Sequence, residues 1–501
     1  MYLITEGAKA AGRRLSLEAA QAVEERAADA YNAQEWDAAI ALFLEAQRLG
    51  LDHAGIHAAL GTAYMRIGHR VEALASYRLA IWRGWQDPLV LNNLIFLLDH
   101  DPETTLESAL ENRKAWWRLF GAPLRSTWRR HDNQADPERP LRIGYVGGDF
   151  RRHSAAQAFG PVVMGHSPAF QAICYHTKAV EDPITVRFEE GVTEFHRVHA
   201  LDDEALAAKI RADQIDILVD LAAFSDGGRL SLFCRRPAPV QVTGWGYATG
   251  TGLPVMDGFF ADEVLVPPAL AARGVVEPIL TLPCVVASTR MPEFTPAVPL
   301  PALSRGSFTF ASFNRWVKVT RETLDTWAEV LACAPGSHLV LKAGAYERPE
   351  IQAEVLTIMA ARGVTADRIE FCGHTDHVQH LTAYHEVDLA LDPFPHSGGV
   401  TALEGLWHGV PPLTLIGERP AARVSAAICT AVGLPMFVAE TRAEYVGKAV
   451  AVATQYQRQL AAIRLSLPDR MAASPLCVGY AEAVERHYRD LWRAWCRRVA
   501  R

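Results

Sequence analysis

Residues 388–409 read DLALDPFPHSGGVTALEGLWHG, and the order of residue types in that stretch decides the fold. Asp388 to Asp392 is a short apolar run of the kind a buried strand needs, Pro393 and Pro395 mark a turn, Ser397, Gly398, Gly399, Val400 and Thr401 make a loop of small residues, and a helix carrying Glu404 follows. A strand that passes through such a loop into a helix leaves backbone N–H groups uncovered at the helix start. The helix dipole adds partial positive charge there, so the place suits a phosphate or diphosphate. Thr401 adds a hydroxyl, and Glu404, one turn further on, can accept two sugar hydroxyls at once. Together these features predict a nucleotide-sugar site; the alternative is an ordinary strand-to-helix turn with a solvent-facing glutamate.

The same texture extends outward. On the C-terminal side of the Pro-rich segment Pro292 to Pro301, strands are predicted at Phe308 to Phe313, His338 to Lys342, Arg368 to Cys372, Asp388 to Asp392, Leu413 to Ile416 and Met436 to Val438, each followed by a helical stretch. On its N-terminal side, Leu141 to Val146 runs into Gly147, Gly148 and Asp149. Asp202 to Arg211 reads as a helix, and Ile215 to Leu221, Val240 to Trp245 and Gly258 to Val266 read as strands. Alternation of this kind implies mostly parallel, doubly wound sheets. Two tandem Rossmann-like domains, 141–300 and 301–501, are therefore expected to face each other across a cleft, with the nucleotide sugar mainly on the second and its reactive carbon turned toward the first.

Ahead of this α/β region the pattern is helical and periodic. Ala27 with Gly61, Ala30 with Tyr64, Ala39 with Ala73, Phe43 with Tyr77 and Ala46 with Ala80 recur at the period of tetratricopeptide repeats. In these repeats, small residues let two antiparallel helices approach. A repeat domain is expected over 16–120, its third unit (Pro88 to about Phe120) lacking the small and aromatic markers, and a connector over 121–140.

The 501 residues carry a net charge of −7 and are 50% hydrophobic, which suits sizeable cores and gives no support for a nucleic-acid or membrane-surface role. The C-terminal arginines 486, 489, 493, 497, 498 and 501 interleave with Tyr488, Trp492 and Trp495 as an amphipathic helix would. Eight cysteines without CxxC pairs fit a reducing cytoplasm. The start, MYLITEGAKAAGRRL, lacks the apolar run of a signal peptide.

Six motifs, RIGYVGGDFRRH (142–153), DILVDL (216–221), RPAPVQVTGWGYATGTG (236–252), FTFASFNRWVKVT (308–320), LDPFPHSGGVTALEGLWHGVP (391–411) and GERPAARVSAA (417–427), together resemble the O-GlcNAc transferase and SPINDLY family. Its members are inverting glycosyltransferases with tetratricopeptide repeats ahead of a GT-B core. The resemblance implies transfer of GlcNAc or a related sugar from a nucleotide sugar to Ser or Thr of a protein acceptor chosen by the repeats, with no metal or other cofactor. It implies His153 and Lys318 as catalytic residues. Asn314, Arg315, His380, Ser397, Gly398, Gly399, Val400, Thr401 and Glu404 are implied in donor binding, and Gly246 and Tyr247 on the acceptor side of the cleft. Arg315, Gly399-Val400 and Glu404 stand where O-GlcNAc transferases carry Gln, His-Thr and Asp, and His377 stands at a loop lysine. In these places the chain is closer to the SPINDLY branch, whose plant members transfer fucose from a guanine nucleotide. Other readings are transfer of another sugar, for example to flagellin, a small-molecule or lipid acceptor, and an inactive core serving as a repeat scaffold. His374, His377 and His380 are read as one histidine in the cleft and two partly exposed, not as a metal set.

Overall fold

The computed structural model describes residues 2–291 and 293–500, with side chains from Leu17 onward. Met1, Pro292 and Arg501, which belong to the expected start, interdomain segment and basic terminus, lie outside the described residues. The chain divides into two compact units, one ending at Leu98 and one running from Asp99 to Arg501.

The first unit is all helical: Tyr2–Asn32, Trp36–Arg48, Ala54–Arg66, Arg70–Trp82 and Pro88–Leu98. The residues of the periodic pattern are the ones that close it. Ala27, Ala39, Phe43, Ala46, Ala73, Tyr77 and Ala80 are all buried. Gly61 shows why one position must be small: a β-carbon there would meet the Tyr77 ring at 2.6 Å. The segment expected as a third repeat is divided, because the helix Leu106–Trp116 belongs to the second unit. Leu106 fills the space left by Gly274, where a β-carbon would lie 2.4 Å from it, and the buried Arg113 donates to the Gly250 carbonyl and to Asp99. The stretch expected as a connector is pinned to the core as well. The Trp128 indole donates to the Cys234 carbonyl, and Arg139 and Asn133 converge on the buried Asp216.

The second unit contains two sheets. The first has strands β1 (Leu141–Gly147), β2 (Phe170–His176), β3 (Glu194–Arg197), β4 (Ile217–Asp220), β5 (Val240–Thr243), β6 (Gly258–Ala261) and β7 (Ile279–Thr281); the second has β8 (Thr309–Ser312), β9 (His338–Lys342), β10 (Ile369–Cys372), β11 (Leu389–Leu391), β12 (Pro412–Leu415) and β13 (Val438–Ala439). Every pairing is parallel, in the orders β3-β2-β1-β4-β5-β6-β7 and β10-β9-β8-β11-β12-β13. Both orders reverse direction beside their first strand, between β1 and β4 and between β8 and β11. The crevice beyond the strand carboxyl ends at such a reversal is where doubly wound sheets bind ligands.

The terminal helix Tyr480–Val499 does not stay with the second sheet, as the expected 301–501 boundary had it. It packs on the first domain: the Tyr145 and Tyr488 hydroxyls lie 3.1 Å apart, and the Trp245 indole donates to the Tyr480 hydroxyl. Its aromatic face is buried, Tyr488, Trp492 and Trp495 included, as the sequence pattern requires. Among the described residues no helix is long and apolar enough to cross a membrane.

Candidate active site

The loops after β1 and β8 and the helix after β11 border one cavity of about 750 Å³ between the two sheets' domains. Four of the expected site residues, His153, Arg315, His380 and Glu404, line it. The cluster of Asn314, Lys318 and Ser397 to Thr401 adjoins it, joined to the wall through the neighbouring Arg315 and through the helix that carries Glu404. Gly246 and Tyr247 do not line it. The Tyr247 hydroxyl donates to Asp99, and a β-carbon on Gly246 would run into the Leu221 carbonyl. Tyr247 thus packs at the buried Asp99–Arg113 pair, and Gly246 packs against Leu221. All three histidines 374, 377 and 380 line the cavity, not one of them.

The loop after β11 is held by the strand it leaves. Asp392 is buried at the end of the apolar run, and its carboxylate accepts the Gly398 N–H at 2.7 Å and the Thr414 hydroxyl at 2.7 Å. Burial raises the Asp392 pKa, and the Thr414 and Ser425 hydroxyls, the Lys318 charge and the Gly398 N–H act against that rise. A side chain at position 398 has no room, since a β-carbon would lie 2.6 Å from Asp392. Ser397 donates both its N–H and its hydroxyl to the Ala421 carbonyl. Ser397 and Gly398 therefore shape the loop, and their N–H groups do not face a ligand. The groups left over are those of Gly399, Val400 and Thr401, at the start of the helix Val400–Trp407, where a helix has no internal partners to offer. The Thr401 hydroxyl donates to the buried Asn314 side chain at 3.1 Å, so Asn314 fixes the start of that helix.

Lys318 follows β8 by one turn and donates to the Ser397 carbonyl at 2.6 Å. Desolvation, reinforced by the Arg315 charge and opposed by Asp392, holds its pKa down to about 7. An ammonium in that setting gains strongly from a new anion.

Glu404 is buried and does not face solvent. One carboxylate oxygen accepts from the Gln157 side chain at 2.9 Å, across the cleft, and the other lies 3.2 Å from His380 Nε2. The His380 ring is set by Phe313 and Tyr384, with centroids at 5.6 and 5.9 Å. His153 caps the helix Ser154–Val163, its Nδ1 accepting the Ala155 N–H at 3.2 Å. Burial, with Arg151, Lys178 and Arg315, lowers its pKa against the pull of Asp149. The same Nδ1 also lies 3.2 Å from an Asp149 carboxylate oxygen.

Sequence reasoning passed over Asp392, Gln157 and Asp149. Gln157 was findable, since it stands four residues after His153 and so shares its helix face. Asp392 was read only as the strand's end. Among the described residues no cluster of His, Cys, Asp and Glu could hold a metal ion.

The pattern of Glycosyl transferase family 41 matches residues 124–278 and 300–482. The Arabidopsis thaliana protein named probable UDP-N-acetylglucosamine–peptide N-acetylglucosaminyltransferase SPINDLY is 34% identical over 81% of this chain and 45% of its own length. The corresponding SEC protein of the same plant is 30% identical over 71% of this chain and 37% of its own length. This chain thus spans less than half the length of these relatives. A solved structure of a mutant Thermobaculum terrenum O-GlcNAc transferase superposes with a TM-score of 0.86 at 28% identity, covering 96% of this chain and 92% of that one.

Proposed function

The chain belongs to Glycosyl transferase family 41, and from that premise we propose that it moves a sugar, GlcNAc or a related one, from a nucleotide sugar to a Ser or Thr hydroxyl of a protein acceptor selected by the helical repeats. The observation that carries this is the desolvated Lys318 beside the loop Ser397 to Thr401, next to a cavity whose wall holds Glu404 and His153. The diphosphate of the donor sits against the free N–H groups of Gly399, Val400 and Thr401. Lys318 leaves the Ser397 carbonyl to meet it, and Glu404 exchanges Gln157 and His380 for the ribose hydroxyls.

In the transfer, the acceptor oxygen forms a bond to the anomeric carbon while the bond from that carbon to the phosphate oxygen breaks. The charge that grows on the departing diphosphate falls beside Lys318, where a preorganised cation stabilises it most. The acceptor hydroxyl loses its proton as it attacks, and neutral His153 in the cavity wall takes that proton. The lysine and the helix start serve in place of a divalent ion, so the reaction is read as metal-independent. Eight cysteines, none of them in a disulfide, support a reducing compartment such as the cytoplasm. A second reading, fucose from a guanine nucleotide, is favoured by Arg315, Glu404 and the match to SPINDLY proteins over more of the chain than to SEC.

A thermal-shift panel of UDP, GDP and CMP sugars tests the reading. A ligand at 100 times its dissociation constant stabilises by about 2.7 kcal/mol, so one nucleotide should stand out. A flat panel would refute donor binding.

A further inference from the structure

The first-domain side of the cavity carries charge that donor binding does not use. Arg151, Arg152, Arg187 and Arg290 all line it, in a chain whose net charge is −7. Three carboxylates stand nearby, with Asp149 Oδ1 and Glu293 Oε2 buried without a hydrogen bond. Asp149 lies 3.6 Å from both Arg151 and Lys178 and 3.2 Å from His153. Asp182 accepts the backbone N–H groups of Arg152, Ile184 and Thr185 as it caps a helix. Glu293, the one acid of this wall, stands 3.9 Å from Arg187. Arg152 and Arg290 are exposed and form no ion pair among the described residues. Asp376 and Glu404 belong to the opposite, second-domain wall, where the diphosphate is met by Lys318 and the helix start. A second anion is therefore called for on the acceptor side.

We propose that the acceptor polypeptide is acidic around its reacting hydroxyl, with Asp or Glu side chains flanking the Ser or Thr and seated on Arg152 and Arg290. The inference rests on the reading of the cavity as a transfer site. A guanidinium presents a planar fork that matches a carboxylate in two hydrogen bonds, which gives position as well as attraction. Four arginines against one glutamate on this wall also favour an anion electrostatically. Arg151 and Arg187, each already beside one carboxylate, extend the same field along the wall.

The test uses the full chain and three fluorescent peptides that share a central Ser, flanked by Asp and Glu, by Ala, or by Lys. Their binding is measured by anisotropy with saturating nucleoside diphosphate present. The acidic peptide should bind about tenfold more tightly than the other two, and raising the salt should erode the difference. In an Arg152→Glu, Arg290→Glu double variant the preference should vanish or reverse, while nucleotide affinity stays within about twofold. Equal binding of the three peptides, binding of none, or a preference that survives the double variant would overturn the proposal. Nucleotide binding, followed on the same samples, separates the two readings: an acidic preference without any nucleotide binding would refute the donor site and leave the cationic wall in place.

Discussion

Nucleotide binding should draw a proton from solution, and Lys318 should be the group that takes it. In the free protein its pKa stands near 7, because burial and Arg315 penalise the ammonium more than Asp392 helps it. A diphosphate arriving beside it favours the charged form, so the pKa rises toward the ordinary lysine range. The sign follows: a group whose pKa rises on binding takes up a proton, and affinity falls as pH climbs above the free-protein value. At pH 8.5 only about 3% of the free protein holds a protonated Lys318, against about half at pH 7, so the apparent dissociation constant should be about 15-fold weaker at the higher pH. Calorimetry at pH 8.5 in buffers of different ionisation enthalpy should report uptake of about one proton per nucleotide. The Lys318→Met variant should bind more weakly at pH 7 and show neither the uptake nor the slope. Uptake near zero in the parent, or uptake unchanged in the variant, would refute the account of Lys318.

Three further outcomes are expected. Glu404→Ala removes the acceptor shared by Gln157 and His380 and should weaken donor binding about tenfold or more, while lowering stability by about 1–3 kcal/mol for the donors left unpaired; an unchanged donor dissociation constant would leave Glu404 a structural link only. Gly61→Ala drives a β-carbon into the Tyr77 ring at 2.6 Å and should destabilise the first unit by about 1–3 kcal/mol in denaturant melts, with nucleotide affinity unchanged. Removing the repeats by starting at Asp99 should keep nucleotide binding and lose protein glycosylation. A start near Asp136 should melt lower than that, because it removes the buried Leu106 and Arg113 and the Trp128 hydrogen bond to Cys234; equal melting temperatures would count against the boundary at Leu98.

Many of the strands, though not their order, were legible because buried parallel strands are continuous apolar runs. β1, β8 and β9 could be placed from residues such as Ile143, Phe310 and Leu339. β3 could not, since its run Glu194 to Arg197 is polar and gains its place only by pairing with β2. The loop Ser397 to Thr401 was legible as a small-residue turn into a helix, but which of its N–H groups remain free depends on Asp392 and Ala421, partners that no local pattern reveals. Glu404 was read as reaching for sugar, whereas its hold on Gln157 depends on a residue 247 positions away. The bond from Tyr247 to Asp99 was hidden for a similar reason, since Asp99 lies within the region read as repeats. The terminal helix displayed its aromatic face plainly, yet nothing in its sequence says on which sheet that face lies.

The central claim, sugar transfer to protein at this cavity, is tested most directly by incubating the full chain with the donor that the nucleotide panel selects and a protein extract, then measuring sugar released from Ser and Thr by β-elimination. The account predicts incorporation by the parent and a loss of about 10²-fold or more in a folded Lys318→Met variant, the size expected when a preorganised charge-stabilising group is deleted. Incorporation by the variant within about threefold of the parent would contradict it.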